Sequence, residues 1–215
     1  TYYQAGFPGP DTMPEYWVDI ADNSPYGGRD KLEIAVTGLS QSSSSMKFAG
    51  ERDYSPISFF GGTPQMRAHW STWAEAMESK GRTPDRRRYR VCRDVFIADT
   101  DAEAKRLFLK SGLAETWAKY LKEIYVKFRL FDGIIADSGR NMTPADIDAD
   151  FLAEHVVLCG SPETAIEKLE ALADKVGGWG QIVYNQHDSI DDPKPWEESL
   201  RRLALEVCPK VRMPA

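Results

Sequence analysis

The chain has 215 residues, of which 42% are apolar, and its 27 basic and 33 acidic residues give a formal net charge of −6. This length and apolar content are sufficient for a substantial core, whereas the acidic balance disfavours nucleic-acid or anionic-membrane partners, which bind a concentrated basic face. No stretch reaches the roughly 18 apolar residues of a membrane-spanning helix, and the first residues lack a basic-then-apolar signal pattern. We therefore expect a cytoplasmic protein.

The beginning of the chain has no sustained hydrophobic period. Glycine and proline recur throughout residues 1–30 and would interrupt any regular element. We predict an irregular lead-in segment over residues 1–31 and a folded domain over residues 32–215. The domain opens with the apolar run LEIAVTG, residues 32–38, which is typical of a strand buried on both faces of a parallel sheet.

Strand-like and helix-like segments alternate through the rest of the chain. After the first strand, the predicted elements are a helix over 45–52, a strand over 57–60, a helix over 64–80, a strand over 88–98, a helical region over 102–121 with a break near Gly112, a helix over 162–176, a strand over 181–185 and a helix over 195–207. This alternation predicts an α/β fold with parallel strands and right-handed crossovers.

Two features of the elements are specific. Ser161 followed by Pro162 predicts a capped helix start, and Gly177 its end. Residues 128–150 are less regular, and we expect an insertion over about 128–160. This insertion would close over the ligand-binding site of the domain.

The cysteines Cys92, Cys159 and Cys208 are odd in number and widely spaced among apolar residues. This arrangement predicts buried thiols rather than a disulfide framework. No His, Cys, Asp or Glu cluster has metal-ligand spacing, so we expect no metal site.

Four consecutive serines, Ser42–Ser45, follow the first predicted strand and precede a helix. Two interpretations are open: a capped helix start with spare serines, which are common turn formers, or a cradle of hydroxyl and N–H donors that binds a phosphate. The residues by themselves favour the turn. The chain has no G-x-G-x-x-G motif and no P-loop lysine, so a Rossmann or kinase interpretation lacks support.

For several other polar residues, a structural role is the first interpretation. His69 lies on the apolar stripe of the helix over 64–80, and His155 precedes an apolar run. The carboxylates Asp99, Asp101 and Glu103 stand at a helix start, where capping is expected. The cluster Arg86-Arg87-Arg88 is interpreted as a solvated approach to the next strand.

Residues at strand ends are stronger candidates to face a ligand, because active sites of parallel barrels form there. Phe59 and Phe60 end one predicted strand, and at most one of them should point into a barrel, because adjacent strand residues face opposite sides. Tyr184, Asn185 and His187 end another, where a turn that caps the strand remains an alternative.

Three segments of the chain are YSPISFFGGTPQMRAHWSTWAEAMESKGRTPDRRRYRVCRDVFIADTDAEAKR, GSPETAIEKLEALADKVGGWGQIVYNQHD and DPKPWEESLRRLALEVCPKV. In this order they resemble the C-terminal half of luciferase-like flavin-dependent monooxygenases, of the limonene monooxygenase type. The resemblance covers about residues 32–211. No single motif in it is diagnostic, and the resemblance rests on the ordered succession of the segments.

The resemblance implies that this chain supplies strands five to eight of a TIM-like (βα)8 barrel, and that an N-terminal half-barrel chain or segment completes it. It implies a monooxygenase that uses reduced FMN, supplied by a separate flavin reductase, and O2 to oxygenate a small apolar organic substrate. In that family the loop after the fifth strand holds the FMN phosphate, which here corresponds to Gln41, Ser42 and Ser45, with Ser43 and Ser44 in the same run. A homo-oligomer is expected, and no catalytic base is assigned.

Two alternatives remain open at this point. In the first alternative, the chain belongs to a relative of the same fold that transfers hydride from the reduced deazaflavin F420. A non-catalytic half-barrel would bind flavin or act as an assembly partner, because a half-barrel leaves strand edges unpaired.

Overall fold

A computed structural model describes residues 33–184 and 193–214. All the elements described below lie in one compact unit, Ala35–Ala215. Within the described ranges, none of the helices combines the length and the apolar composition that crossing a membrane requires.

The centre of the unit is a four-stranded parallel sheet with the strand order β1-β2-β3-β6. Its strands are β1 Ala35–Gly38, β2 Ser55–Ser58, β3 Arg90–Arg93 and β6 Gln181–Tyr184. Helix α1, Ser44–Glu51, connects β1 to β2, and helix α2, Thr63–Glu78, connects β2 to β3. The predicted α/β alternation with parallel strands is confirmed, and the sheet is part of a barrel rather than a closed one.

The strand predicted over residues 88–98 is two strands in two different sheets. β3 ends at Arg93, and β4, Val95–Ile97, pairs in parallel with β5, Leu158–Gly160. The residue between them, Asp94, is buried and accepts a hydrogen bond of 2.8 Å from Trp117 Nε1. A carboxylate fixed to a tryptophan on an inserted helix marks the point where the chain leaves the first sheet.

A helical insertion connects β4 to β5. Its helices are α3 Asp101–Phe108, α4 Gly112–Thr116, α5 Lys122–Lys127, α6 Leu130–Ser138 and the short α7 Ala149–Phe151, with π-helical turns at Trp117–Leu121 and Leu152–Val156. The insertion has its own core, in which the Tyr125 ring packs against Trp117 and Phe131 with centroid distances of 4.6 and 5.1 Å. The expected break near Gly112 is present, and Ser111 caps the helix that follows.

The last two helices are α8, Pro162–Val176, and α9, Pro193–Arg202, which continues as a π-helical turn through Leu203–Val207. The Ser161 side chain accepts from the Thr164 N–H at 3.2 Å, and Gly177 ends α8 in the left-handed conformation, as the sequence predicts. A second core lies between the sheet and helices α2 and α8, with contributions from Val91, Leu169 and Leu203.

The two faces of the sheet differ in their cover. Ser58, Val91 and Ile182 share one register level, and this face packs under the helices. The alternate level contains Thr37, Ile57, Arg90 and Gln181, which are half-buried or exposed. Because parallel neighbours at one level point the same way, this level of the second face is open in the described part of the chain, whereas Ser55 and Cys92 on the same face are buried.

The cysteine prediction is only partly correct. Cys92 and Cys159 are buried free thiols, and burial raises the pKa of each to about 11. Cys208 is exposed and follows the last helical turn.

Candidate functional site

The serine run forms the connection from β1 to α1. β1 ends at Gly38 and α1 begins at Ser44. The hydroxyl of Ser45 donates to the carbonyl of Thr37 at 2.8 Å and lies 2.6 Å from the hydroxyl of Ser43. The loop therefore begins and ends at the same strand terminus, which brings its hydroxyl groups together at the carboxyl end of the sheet.

The start of α1 is open toward a ligand. Ser43 occupies the N-cap position without a side-chain cap bond, and the first turn contains no acidic residue. Gln41, Ser42 and Ser44 are exposed, and within the described ranges their side chains make no hydrogen bond. The first N–H groups of a helix and its positive dipole end attract an anion when no side chain satisfies them. A phosphate dianion fits this donor set.

Helix α2 holds the loop from below. The Gln65 amide donates to the carbonyls of Leu39 and Phe59, and the second of these distances is 3.2 Å. His69 Nε2 lies 2.7 Å from the carbonyl oxygen of Ser40. Both side chains are buried, so the loop backbone is bonded to a helix in the core.

His69 continues into a buried polar chain. Its Nδ1 lies 2.7 Å from Ser58 Oγ, which lies 2.6 Å from the hydroxyl of Tyr89, and Tyr89 donates to the carbonyl of Met66 at 2.8 Å. Burial lowers the pKa of His69 and raises the pKa of Tyr89 to about 12. From the sequence, His69 is interpreted as a structural histidine. It lies four residues after Gln65 on an otherwise apolar stripe, and this spacing could have indicated that the two side chains act on the same loop.

Phe59 and Phe60 directly follow β2 rather than ending it, and both pack against the core of the insertion. The Phe59 ring packs 6.2 Å from the Tyr125 ring of the insertion. The Phe60 ring lies under the guanidinium of Arg93, with 3.3 Å between the guanidinium carbon and the ring centroid. Phe59 therefore contacts the insertion beyond the carboxyl end of β2, whereas Phe60 contacts both the core of the insertion and the core beneath α2 and α8.

Tyr184 ends β6 and is half-buried against the core beneath the helices. Its phenol oxygen accepts a hydrogen bond from Trp196 Nε1, and burial raises its pKa to about 12. The neighbouring candidates Asn185 and His187 lie outside the described residues.

Arg93 is a buried cation that the sequence analysis did not single out. It is 5% exposed, and it donates to the Cys92 carbonyl at 3.0 Å and lies 3.5 Å from Met66 Sδ. Burial lowers its pKa to about 10. Arg93 borders a cavity of about 220 Å³ that also contacts Asp137, His155 and Lys168. A charged residue inside an apolar strand run was the signal that marked it.

The remaining candidates have structural partners. Asp101 accepts from the Ser161 N–H at 2.7 Å and from Thr164 Oγ1 at 2.9 Å, so it caps α8 as well as opening α3. Asp99 pairs with Arg202 at 2.5 Å. Of the arginine cluster, Arg86 stacks 3.8 Å over the Trp70 ring and donates to Val176. No group of His, Cys, Asp and Glu residues that could hold a metal is found in the described ranges.

The α/β fold is similar to that of luciferase-like enzymes. EDTA monooxygenase from Chelativorans sp. BNC1 superposes with a TM-score of 0.54 at 18% identity, over 87% of this chain and 45% of that chain. The F420-dependent tetrahydromethanopterin reductase of Methanopyrus kandleri superposes with a TM-score of 0.51 at 16% identity, over 86% and 52%. These two likenesses concern the fold alone.

Close relatives are more specific. The chain is 64% identical to 2,5-diketocamphane 1,2-monooxygenase 1 of Pseudomonas putida over 99% of its own length. It is 44% identical to the oxygenating constituent of 3,6-diketocamphane monooxygenase from the same organism, a type II Baeyer-Villiger monooxygenase solved in complex with FMN, with a TM-score of 0.80 over 85% of this chain and 50% of that chain. The chain is a homologue of the diketocamphane monooxygenases, which confirms its resemblance to luciferase-like flavin-dependent monooxygenases.

The chain covers only part of the length of these relatives. The chain spans 58% of the length of that 2,5-diketocamphane relative. No family model matches the chain.

Proposed function

We propose that this chain is the flavin-phosphate-binding part of an FMN-dependent monooxygenase. The observation that carries the proposal is the uncapped, hydroxyl-rich start of α1 at the carboxyl end of β1. A homologue at 44% identity binds FMN, which supports FMN over F420 as the flavin. The named monooxygenase relatives also favour an enzyme over a non-catalytic binding module.

Gln41, Ser42 and Ser45 would hold the phosphate, assisted by Ser43, Ser44 and the first N–H groups of α1. Ser43 and Ser45 bond to each other, and Ser45 donates to the Thr37 carbonyl, so their hydroxyl protons must rotate toward a phosphate. Reduced FMN, supplied by a separate flavin reductase, provides the electrons that let O2 deliver one oxygen atom to the substrate. The role of the protein is to anchor the flavin, exclude water and shape the pocket.

The substrate is a small apolar organic molecule, consistent with the diketocamphanes in the relatives' names. Phe59 is the best-placed described residue to wall the flavin or substrate, because it directly follows β2 and packs against Tyr125 of the insertion. Tyr184, Asn185 and His187 remain candidates at the end of β6. We assign no catalytic base.

We also propose the position of this chain in the complete enzyme. Residues 32–215 would form the C-terminal half of a TIM-like barrel, with residues 1–31 as its lead-in and the segment around 128–160 inserted over the site. An N-terminal half-barrel chain or segment would cover the open face that contains Thr37 and Ile57. The complete enzyme would be a cytoplasmic homo-oligomer.

Comparing FMN with riboflavin tests the phosphate site directly, because the two ligands differ only by the phosphate. We expect the chain to bind FMN at least about tenfold more tightly, since hydrogen bonds to a charged group contribute about 1.5–3 kcal/mol. Ser42→Asp should abolish this preference by placing a carboxylate in the loop. Ser71→Asp makes the same change at an exposed position of α2 and should preserve it. Equal affinities for both ligands would contradict the proposal.

A further inference from the structure

Two buried side chains of α2 bond to consecutive carbonyl groups of the loop that leads into the serine run. Gln65 donates to Leu39, and His69 contacts Ser40. We propose that Gln65 and His69 are positioning residues for the flavin phosphate, acting through the backbone of this loop. The inference rests on the proposed function, because it assigns a task within the same site.

The two residues are four apart and therefore lie on one face of α2. That face is otherwise packed into the core: Met66 and Trp73 are fully buried. A buried amide or imidazole costs free energy unless it is hydrogen-bonded, and both side chains recover that cost by binding main-chain oxygens at the ends of β1 and β2. The helix thereby fixes the strand ends relative to each other.

Fixing a carbonyl also fixes the next N–H group, because the peptide unit is planar and trans, and its C=O and N–H point in opposite directions. The Ser40 carbonyl points to His69 in the core, so the N–H of Gln41 points away from α2. In the same way, the bond from Gln65 to Leu39 directs the N–H of Ser40. Two consecutive backbone donors are thus aimed before a ligand arrives.

The close approach of the imidazole depends on Gly38. A Cβ atom at this position would lie 2.9 Å from His69 Cε1 and 3.0 Å from Nε2, which is closer than real side chains approach each other. Alanine at residue 38 would therefore displace the ring without removing it.

The tautomer of His69 follows from counting protons. The Ser40 carbonyl can only accept, so Nε2 must carry a proton. Burial lowers the pKa of His69, which favours the neutral ring, and Ser58 then donates to Nδ1. The single hydroxyl proton of Tyr89 is in that case shared between Ser58 Oγ and the carbonyl oxygen of Met66. The other titratable group in contact with this chain is Tyr89, beside which lie the cations Arg86 and Arg93. The neutral His69 ring thus retains its bond to the Ser40 carbonyl.

The test measures FMN and riboflavin dissociation constants for the full chain and three variants. In His69→Asn the amide reaches the Nδ1 position only, so the bond to Ser40 is lost; we expect at least tenfold weaker FMN binding and riboflavin binding within twofold of wild type. In His69→Gln the amide reaches the Nε2 position and should keep FMN affinity within about threefold. His155→Asn is the matched control and should bind both ligands like wild type.

The outcomes separate the two claims. If wild type binds FMN no more tightly than riboflavin, the proposed function fails and this inference with it. If wild type prefers FMN and His69→Asn retains that preference, or loses both ligands equally, only the positioning role is overturned. Should His69→Asn fail to fold, as judged by circular dichroism, Gly38→Ala provides the same comparison, with the same loss of FMN preference expected.

Discussion

Two buried polar side chains, His69 and Arg93, bond to backbone carbonyl groups rather than to carboxylates. His69 and Arg93 are both nearly inaccessible, and the hydrogen bonds of each run to a main-chain oxygen and one side chain. Burial lowers the pKa of both groups. The protonation states of His69 and Arg93 should therefore affect the free energy of unfolding.

The stability of the chain should depend on pH through His69. Its folded-state pKa is lowered, so the unfolded chain binds a proton first as pH falls below about 6.5, and folding loses stability there. The contribution is complete above that pH and declines toward the folded-state pKa. Urea unfolding at pH 7.5 and pH 5.0 should show a larger loss for wild type than for His69→Gln. An equal loss in the two proteins would refute this assignment, because the other titrating groups are common to both.

Arg93 should be replaceable by an apolar residue of similar length. Its guanidinium is desolvated and is bonded to a carbonyl and a sulfur rather than to a carboxylate. Replacing a buried charge by a well-packed apolar side chain is often neutral or stabilising by about 1–4 kcal/mol. We expect Arg93→Met to leave the free energy of unfolding unchanged or raised. Arg67→Met, at an exposed position of α2, should change it by less than about 0.5 kcal/mol.

At the scale of elements, the insertion docks onto the start of α2 through close backbone contact. Asp137 of α6 accepts from both the N–H and the hydroxyl of Thr63 at 2.6 Å. A Cβ atom on Gly133 would lie 2.3 Å from the carbonyl oxygen of Gly61. A Cβ atom on Gly62 would likewise lie 2.4 Å from the carbonyl carbon of Gly133. The two segments meet because these glycines leave that space, so the position of the insertion over the strand ends depends on their missing side chains.

Gly133→Ala should therefore be severely destabilising. The added methyl meets backbone, which cannot rotate away, and overpacking typically costs about 1–3 kcal/mol. Gly139→Ala is the control: its left-handed φ of 67° is strained for alanine, but nothing lies within 4 Å of the new atom. Denaturant midpoints should fall further for Gly133→Ala. A smaller fall than in the control would mean that α6 shifts freely on α2.

At the scale of the whole molecule, one face of the central sheet is covered, and the other is partly open within the residues that the structure describes. In the part of the chain that the structure describes, no strand pairs with the outer edges of β1 and β6. Ile57 is only half-buried on the open face. Unpaired edges and uncovered apolar surface favour association, which agrees with the proposal that a further half-barrel segment completes the enzyme.

The isolated chain should accordingly self-associate as its concentration rises. Size-exclusion chromatography with light scattering should show a mass that increases with concentration, and Ile57→Asp should weaken this association by placing a charge on the open face. Leu205→Asp changes an apolar residue that is 64% exposed outside the sheet and should behave like wild type. A monomer at every concentration would contradict the expectation of an open, incomplete barrel.

The sequence by itself determined the features that depend on near neighbours. The strand-helix alternation, the Ser161 cap of α8, its end at Gly177 and the break before Gly112 are local, because each involves residues a few positions apart. The serine run was likewise visible as a hydroxyl-rich helix start. The ordered segments gave the family, and homologues confirm it.

Only the tertiary structure decided what depends on distant partners. The separation of β3 from β4 at Asp94 involves Trp117, 23 residues away, and β5 is a strand because β4 pairs with it. The bond from His69 to Ser40 spans 29 residues, and the closeness of Gly133 to Gly61 requires two helices to meet. Hydrogen bonds and close packing between remote segments leave no periodic trace in the sequence, so these contacts were fixed by folding.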